Sequence, residues 1–447
     1  MNKKLMAVAV AGAIGAPGLA FAQAANVNIY GVMDARWDSM KFTGNTAGTI
    51  NALTKNHFQH QASRWGLRGS EDLGGGLSAF FQLESGLSPD GRPQIQSDTG
   101  GIYALGGRDS WIGIRSNSWG EIKGGGFGTA YKAVAGVWHA NAGINHGGII
   151  MGNGDSTGAM PSPNCSGGIS TTGTVPVTSG TVAGGNATVC QPQVEGGATA
   201  FSRRESNYVE YTSPTFSGFQ VKIGTAASEM AEPTSTTTAL GAGAVQSKPK
   251  LWSTAATWSG GPFSAAVAYE THTGFRASNA AGTGLAQRMA KDTGVTAGGK
   301  WNFGVGQVGL GWERQKYANT AAAGAENNFS RTAWVLNGDW RINSTMTLSA
   351  GYSKTAGFKG CGAGLSSTAA VPTCGGGMGA THKSLGFDMA MSKRTSLYAI
   401  YSKINNNAGA SYYYIAGPTS NNTNGASGGL SAGSDVTLMG FGAKHTF

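Results

Sequence analysis

Arg64 and Arg68 stand four residues apart within SRWGLRGSEDLGGGLSAFFQLESG, the stretch from Ser63 to Gly86. Successive side chains of a strand point to opposite faces, so two arginines at this spacing share one face. Arg36 falls on the polar face of an earlier alternating run, Val27 to Met40. A guanidinium keeps its charge at any accessible pH. On a solvated surface such groups do little beyond solubility. Inside a narrow lumen with low-dielectric walls the field is focused, and a few fixed charges set ion preference.

Other patterns imitate catalytic or cofactor motifs and fail their context. Gly304-x-Gly306-x-x-Gly309 has dinucleotide-fingerprint spacing, but it joins two strands and opens no helix. Gly425-x-Ser427-x-Gly429 and Gly429-x-Ser431-x-Gly433 have nucleophile-elbow spacing inside a Gly/Ser/Asn-rich loop. A serine nucleophile needs a base within hydrogen-bond reach, and spacing ties none of His57, His60, His272 or His382 to these serines. The sequence therefore predicts no enzyme, no cofactor and no metal site.

The elements that carry the arginines are strands in tandem hairpins. In the Ser63–Gly86 stretch, Trp65 and Leu67 alternate with Arg64, Gly66 and Arg68 before a Gly-rich turn. Leu77, Ala79, Phe81 and Leu83 alternate with polar and aromatic residues after it. Further pairs surround turns at 117–120, 213–215, 260–262, near Gly304, at 342–344 and at 392–394. A last strand, Asp435 to Phe447, has no local partner and can close on the first. The count is about sixteen strands, with short turns alternating with long polar loops, the signature of an outer-membrane barrel. Tryptophans and tyrosines near strand ends, such as Trp119, Trp258, Trp301 and Trp340, suit interface girdles.

Composition agrees. Of 447 residues, 40% are hydrophobic, 12% are charged and 74 are glycine. No segment after the N-terminal leader has the roughly 20 apolar residues of a spanning helix, so a membrane form must be a closed barrel. Met1-Asn2-Lys3-Lys4, the apolar run to Leu19 and Ala20-Phe21-Ala22 read as a secretory signal peptide over 1–22, leaving 23–447 as the barrel domain. The net charge of +10 points to anionic partners. For an exported chain with no basic helix these are small anions or the phosphates of outer-leaflet lipid and lipopolysaccharide, not nucleic acid.

Four cysteines, Cys165, Cys190, Cys361 and Cys374, sit in an exported chain and are expected to pair. Three connectivities are possible. The sequence-local one, Cys165–Cys190 and Cys361–Cys374, is expected because each pair lies within one Gly/Ser/Thr-rich stretch. The connection from Gly128 to Ser202 is far longer than ordinary loops and carries Asp155. A loop of this length can fold into the barrel and narrow it.

At this point the chain resembles the Gram-negative general porins of the beta-proteobacterial type. The matching pieces are Asn28-Ile29-Tyr30-Gly31-Val32-Met33-Asp34, the Ser63–Gly86 hairpin, Asn207 to Phe219, Ser392 to Ala399, and Phe441 to Phe447. The resemblance implies an all-β transmembrane antiparallel barrel of sixteen strands, assembled as a homotrimer, with short periplasmic turns and long external loops. It also implies that the third loop, 128–202, folds into the lumen. It implies passive diffusion of small hydrophilic solutes, with wall arginines facing acidic groups on the loop. Arg36, Arg64, Arg68 and Arg115 are the wall candidates and Asp155 the loop candidate. One departure lies at the loop entry. Family sequences often read Gly-Arg-Phe-Asp-Thr-Pro-Tyr-Lys, where this chain has Gly126, Gly128 and Ala130 in place of Arg, Asp and Pro. The expectation is a water-filled channel with anion preference. A channel specific for small organic or inorganic anions, or a surface adhesin, are the alternatives.

Overall fold

The computed structural model describes residues 26–44, 54–60, 63–87, 89, 105–139, 201, 204–227, 250–273, 291–320, 326–357, 359, 379–408 and 433–447. These residues form seventeen strand segments and two short helices. In chain order they are β1 (Asn26–Thr43), β2 (Thr54–His60), β3 (Arg64–Gly74), β4 (Leu77–Gly86), β5 (Ser110–Ser116) and β6 (Gly120–Gly128). Helices α1 (Ala130–Ala133) and α2 (Ala135–Trp138) follow, then β7 (Arg204–Thr212), β8 (Phe219–Ala227), β9 (Lys250–Gly260) and β10 (Phe263–Thr273). The rest are β11 (Lys291–Asn302), β12 (Gly306–Thr320), β13 (Glu326–Arg341), β14 (Met346–Thr355), β15 (Ala380–Ala390), β16 (Thr395–Asn406) and β17 (Asp435–Thr446).

Segments β2 and β3 both pair with β1, β2 along Ala35–Lys41 and β3 along Asn26–Val32. They are two halves of one wall strand, so the wall has sixteen strands, each antiparallel to its neighbours. Ser63 patches the gap between the halves. Its hydroxyl accepts from the Asp34 N–H and donates to the Asp34 carbonyl, both at 2.8 Å. The ring closes where β1 meets β17, with Met33 opposite His445 and Trp37 opposite Phe441. Closure leaves no sheet edge and pairs the backbone without water, which a lipid-embedded sheet requires.

Alternation fixes the two faces of the wall. Ile29, Met33 and Trp37 on β1 and Met439 and Phe441 on β17 are exposed on the outside. Ile112, Ile114, Val221, Ile223 and Leu310 continue this apolar outer face. Aromatics gather at the short-turn end, where Phe263 stacks on Trp301 and Phe303 packs against both Trp301 and Trp340. In barrels of this kind that end is periplasmic.

Several elements differ from the sequence expectation. Segment β2 is an added half-strand, and β12 and β13 are the long strands of the wall, reaching Thr320 and Glu326. These ends lie toward the long-loop end of the wall. The third long connection begins as two helical turns and not as plain loop.

Candidate functional site: the loaded inner wall

The third loop enters the lumen immediately after β6. Thr129 caps α1, its hydroxyl accepting from the Lys132 N–H at 3.4 Å. The Ala130 N–H donates to the Tyr208 hydroxyl at 3.3 Å, and the Tyr131 N–H to Ser253 Oγ at 2.9 Å. The Tyr131 hydroxyl reaches Glu313 Oε2 at 3.4 Å. Small inward residues receive the helices. Ala130, Tyr131, Val134, Ala135 and Trp138 form one buried cluster with Ala255, Ala266, Ala268, Ala333 and Val335 of β9, β10 and β13. Phe201, at the far end of the connection, joins that cluster. Its ring stacks on His272 at 4.6 Å and lies 5.6 Å from Tyr131. Both ends of the third loop are therefore anchored on the β9–β13 side of the lumen.

The opposite side, β3 to β8, carries charge. Glu84 takes Arg64 at 3.4 Å and Arg108 at 2.7 Å, and accepts from the Tyr30 hydroxyl at 3.0 Å. Glu121 takes Arg115 at 3.6 Å and Lys123 at 3.8 Å. Glu210 takes Lys123 at 3.3 Å and Lys222 at 3.7 Å. Each of the three carboxylates thus answers to two cations. Arg68 has no carboxylate within ion-pair distance among the described residues; its guanidinium lies 5.2 Å from the Tyr30 ring centre. Five cations meet these three carboxylates, Lys123 being shared by two of them, and Arg68 is a sixth; Glu205 on β7 is a further buried carboxylate of this wall. Nearby, Asp109 is matched one to one by Arg204 at 2.9 Å.

Arg68 and Arg115 line one recess of about 370 Å³ with Gln82, Trp111 and Lys123. Arg115 is half exposed and sits 4.2 Å over the Phe80 ring. Arg64 stands opposite Val32 and Arg68 opposite Asn28 across the β1–β3 ladder. Arg36 stands apart, opposite Gln59 on β2. It also faces inward, but it is buried and paired bidentately with Asp38, with Nη2 to Oδ2 at 2.9 Å. Of the wall candidates, Arg36 thus has its charge met inside the wall by Asp38. Asp155 and the four cysteines lie outside the described residues. Arg108, Lys123, Lys222 and the shared Glu84 and Glu210 were not among the sequence candidates. Strand alternation could have found Lys123 and Lys222, which fall on the inward face.

A curated outer membrane porin protein of Bordetella pertussis is 26% identical over 428 residues, covering 89% of this chain and 93% of the relative. The major outer membrane protein P.IB of Neisseria gonorrhoeae is 32% identical over 130 residues, 29% of this chain and 30% of the relative. Among solved structures, the anion-selective porin from Comamonas acidovorans superposes with a TM-score of 0.59 at 18% identity, covering 95% of this chain and all of that one. The trimer form of OmpT from Vibrio cholerae gives 0.54 at 13% identity, covering 95% of this chain and all of that one. Gram-negative porin is the family that matches, along residues 7–409. With that match running through nearly every wall strand, this chain belongs to the Gram-negative porin family and is a channel of the outer membrane.

Proposed function

We propose that the channel passes small hydrophilic solutes by diffusion and prefers anions. The observation that carries this reading is the wall in which Glu84, Glu121 and Glu210 are each shared by two cations, with Arg68 left over. Confined between low-dielectric walls, a cation excess attracts anions and repels cations. The Comamonas neighbour's description as an anion-selective porin supports the same direction. Arg64, Arg68 and Arg115 are the selectivity residues in this reading, and the connection 128–202 is the constriction, with Asp155 a lining group.

The chain works as a trimer, a state in which the OmpT relative has also been solved. Lipid and lipopolysaccharide surround it, residues 1–22 are removed on export, and transport involves no catalysis. The deciding experiment is single-channel recording in a potassium chloride gradient. A reversal potential of anion-selective sign, growing as salt is lowered and screening fades, is expected. A cation-selective sign in the wild-type channel overturns the reading.

A further inference from the structure

A second charged site lies at the short-turn end of the lumen, away from the wall just described. A recess of about 570 Å³ opens among the inward faces of β12 to β17 and the turn at 391–394. Arg341, Lys393, Arg394 and Lys444 line it, together with Asp339 and Asp388. Both carboxylates have neutral hydrogen-bond partners, and Asp388 also attracts Lys444, which faces Asp34 across the β1–β17 ladder. Asp339 accepts from Gln307 Nε2 at 2.7 Å, and Asp388 is hydrogen-bonded to Ser396. No carboxylate lies within ion-pair distance of any of the four cations among the described residues. The Arg341 guanidinium donates to the Gly304 carbonyl, which fixes its position at the rim. Thr446 binds the Arg394 carbonyl through its N–H at 2.8 Å, so the turn carrying Lys393 and Arg394 is tied to the end of β17.

We propose that this exit recess is a binding site for small multivalent oxyanions, of the phosphate-ester or inorganic polyphosphate kind. The volume suits a small ligand. Four cations facing two carboxylates leave a local excess that a multivalent anion would satisfy, and the planar fork of arginine matches oxyanion geometry. Serine, threonine and amide side chains around the recess supply further donors. A solute leaving the channel would dwell here, and its passage would saturate. This proposal rests on the chain being a channel but not on the selectivity assigned to the β3–β8 wall.

The test is single-channel recording in potassium chloride with inorganic tripolyphosphate titrated on either side. A saturable fall in chloride current is expected, at lower concentration from the short-turn side. The variant Lys393→Gln/Arg394→Gln/Lys444→Gln should raise the half-blocking concentration by about tenfold, given the modest worth of each exposed charge pair. Its reversal potential in potassium chloride should keep its anion-selective sign, because Arg64, Arg68 and Arg115 remain. If the triple variant assembles poorly, Arg394→Gln alone, at the turn, should move the block in the same direction. A current that falls without saturating, or a saturable block that these variants do not shift, overturns the site. A cation-selective wild type that still shows the saturable, variant-sensitive block would overturn the wall reading and leave this site standing.

Discussion

The indole of Trp138 occupies the space that a side chain at Gly311 would need. Gly298 and Gly309 extend the same seat: a methyl at Gly298 would lie 2.5 Å from the indole, and one at Gly309 would overlap the Trp138 carbonyl. The ring is fully buried, and its N–H has no acceptor among the described residues, so shape and apolar contact hold it. The third loop is therefore keyed to the wall by one tryptophan in a glycine-lined socket on β11 and β12.

Filling or emptying the socket should unseat the loop while sparing the barrel. Gly311→Val overpacks the seat, at a cost of about 1–3 kcal/mol. Trp138→Ala empties it, at about 3–5 kcal/mol. Both variants should give larger and noisier single-channel conductance, with heat-modifiable migration on gels retained. Trp138→Phe, which keeps a ring and sheds an N–H without an acceptor, should stay close to wild type. Unchanged conductance in Gly311→Val would mean that the seat does not position the loop.

Charge changes on the β3–β8 wall should move selectivity in opposite directions. Arg64→Gln with Arg68→Gln removes two cations and should shift the reversal potential toward cations. Glu84→Gln releases Arg64 and Arg108 from their shared carboxylate and should shift it further toward anions. The second variant also strips a partner from the buried Arg108, so some loss of stability, about 3–5 kcal/mol at most, should accompany it. Shifts of the same sign in both would be incompatible with a fixed-charge wall.

Phe441 projects from β17 at the closure, opposite Trp37, with 70% of its surface exposed on the outer face. A charge at such a position costs about 2–4 kcal/mol near the bilayer midplane. Phe441→Arg should reduce the yield of assembled, heat-modifiable protein, whereas Phe441→Leu should not. Normal insertion of the arginine variant would place this face away from lipid.

The cysteines are expected to pair as Cys165–Cys190 and Cys361–Cys374. Closing loops of this kind is worth about 3 kcal/mol for some 15 residues in the chain-entropy picture. Peptide mapping without reduction should recover two local cross-linked fragments. A fragment joining the two regions, or four free thiols, would reject the pairing.

Much of the wall was legible in the sequence because lipid outside and water inside impose a period of two on every strand. The Val27–Met40 run shows it: Ile29, Met33 and Trp37 face out while Asp34 and Arg36 face in. The signal fades where lipid ends. Segment β2, TKNHFQH, alternates Lys55 and His57 inward with Thr54, Asn56 and Phe58 outward, too polar a face to announce a strand. The loop helices were hidden for another reason. Eight helical residues have little stability alone and rest on wall positions more than a hundred residues away, such as Ser253. Gly309, which in sequence imitated a nucleotide motif, turns out to make room for Trp138. For Arg36, alternation reports a face and not a partner; its partner, Asp38, is two residues along the same strand.

Arg36 and Asp38 belong to the seam, and so does Asp34, whose carboxylate accepts from the Tyr398 hydroxyl on β16. That bond passes over β17, where Gly442 makes room for the Tyr398 ring and Lys444 stands directly opposite Asp34. Residues Asp34 and Tyr398 are separated by 364 positions, and no hairpin brings them near each other. Local hairpins form early, and contacts between distant segments form late. The Asp34–Tyr398 bond is thus a latch that sets only when the ring of strands has come round on itself. Tyr398→Phe should leave hairpin formation at its normal pace and lengthen the interval between membrane-bound, open sheet and sealed cylinder, a delay that time-resolved gel-shift assays can time.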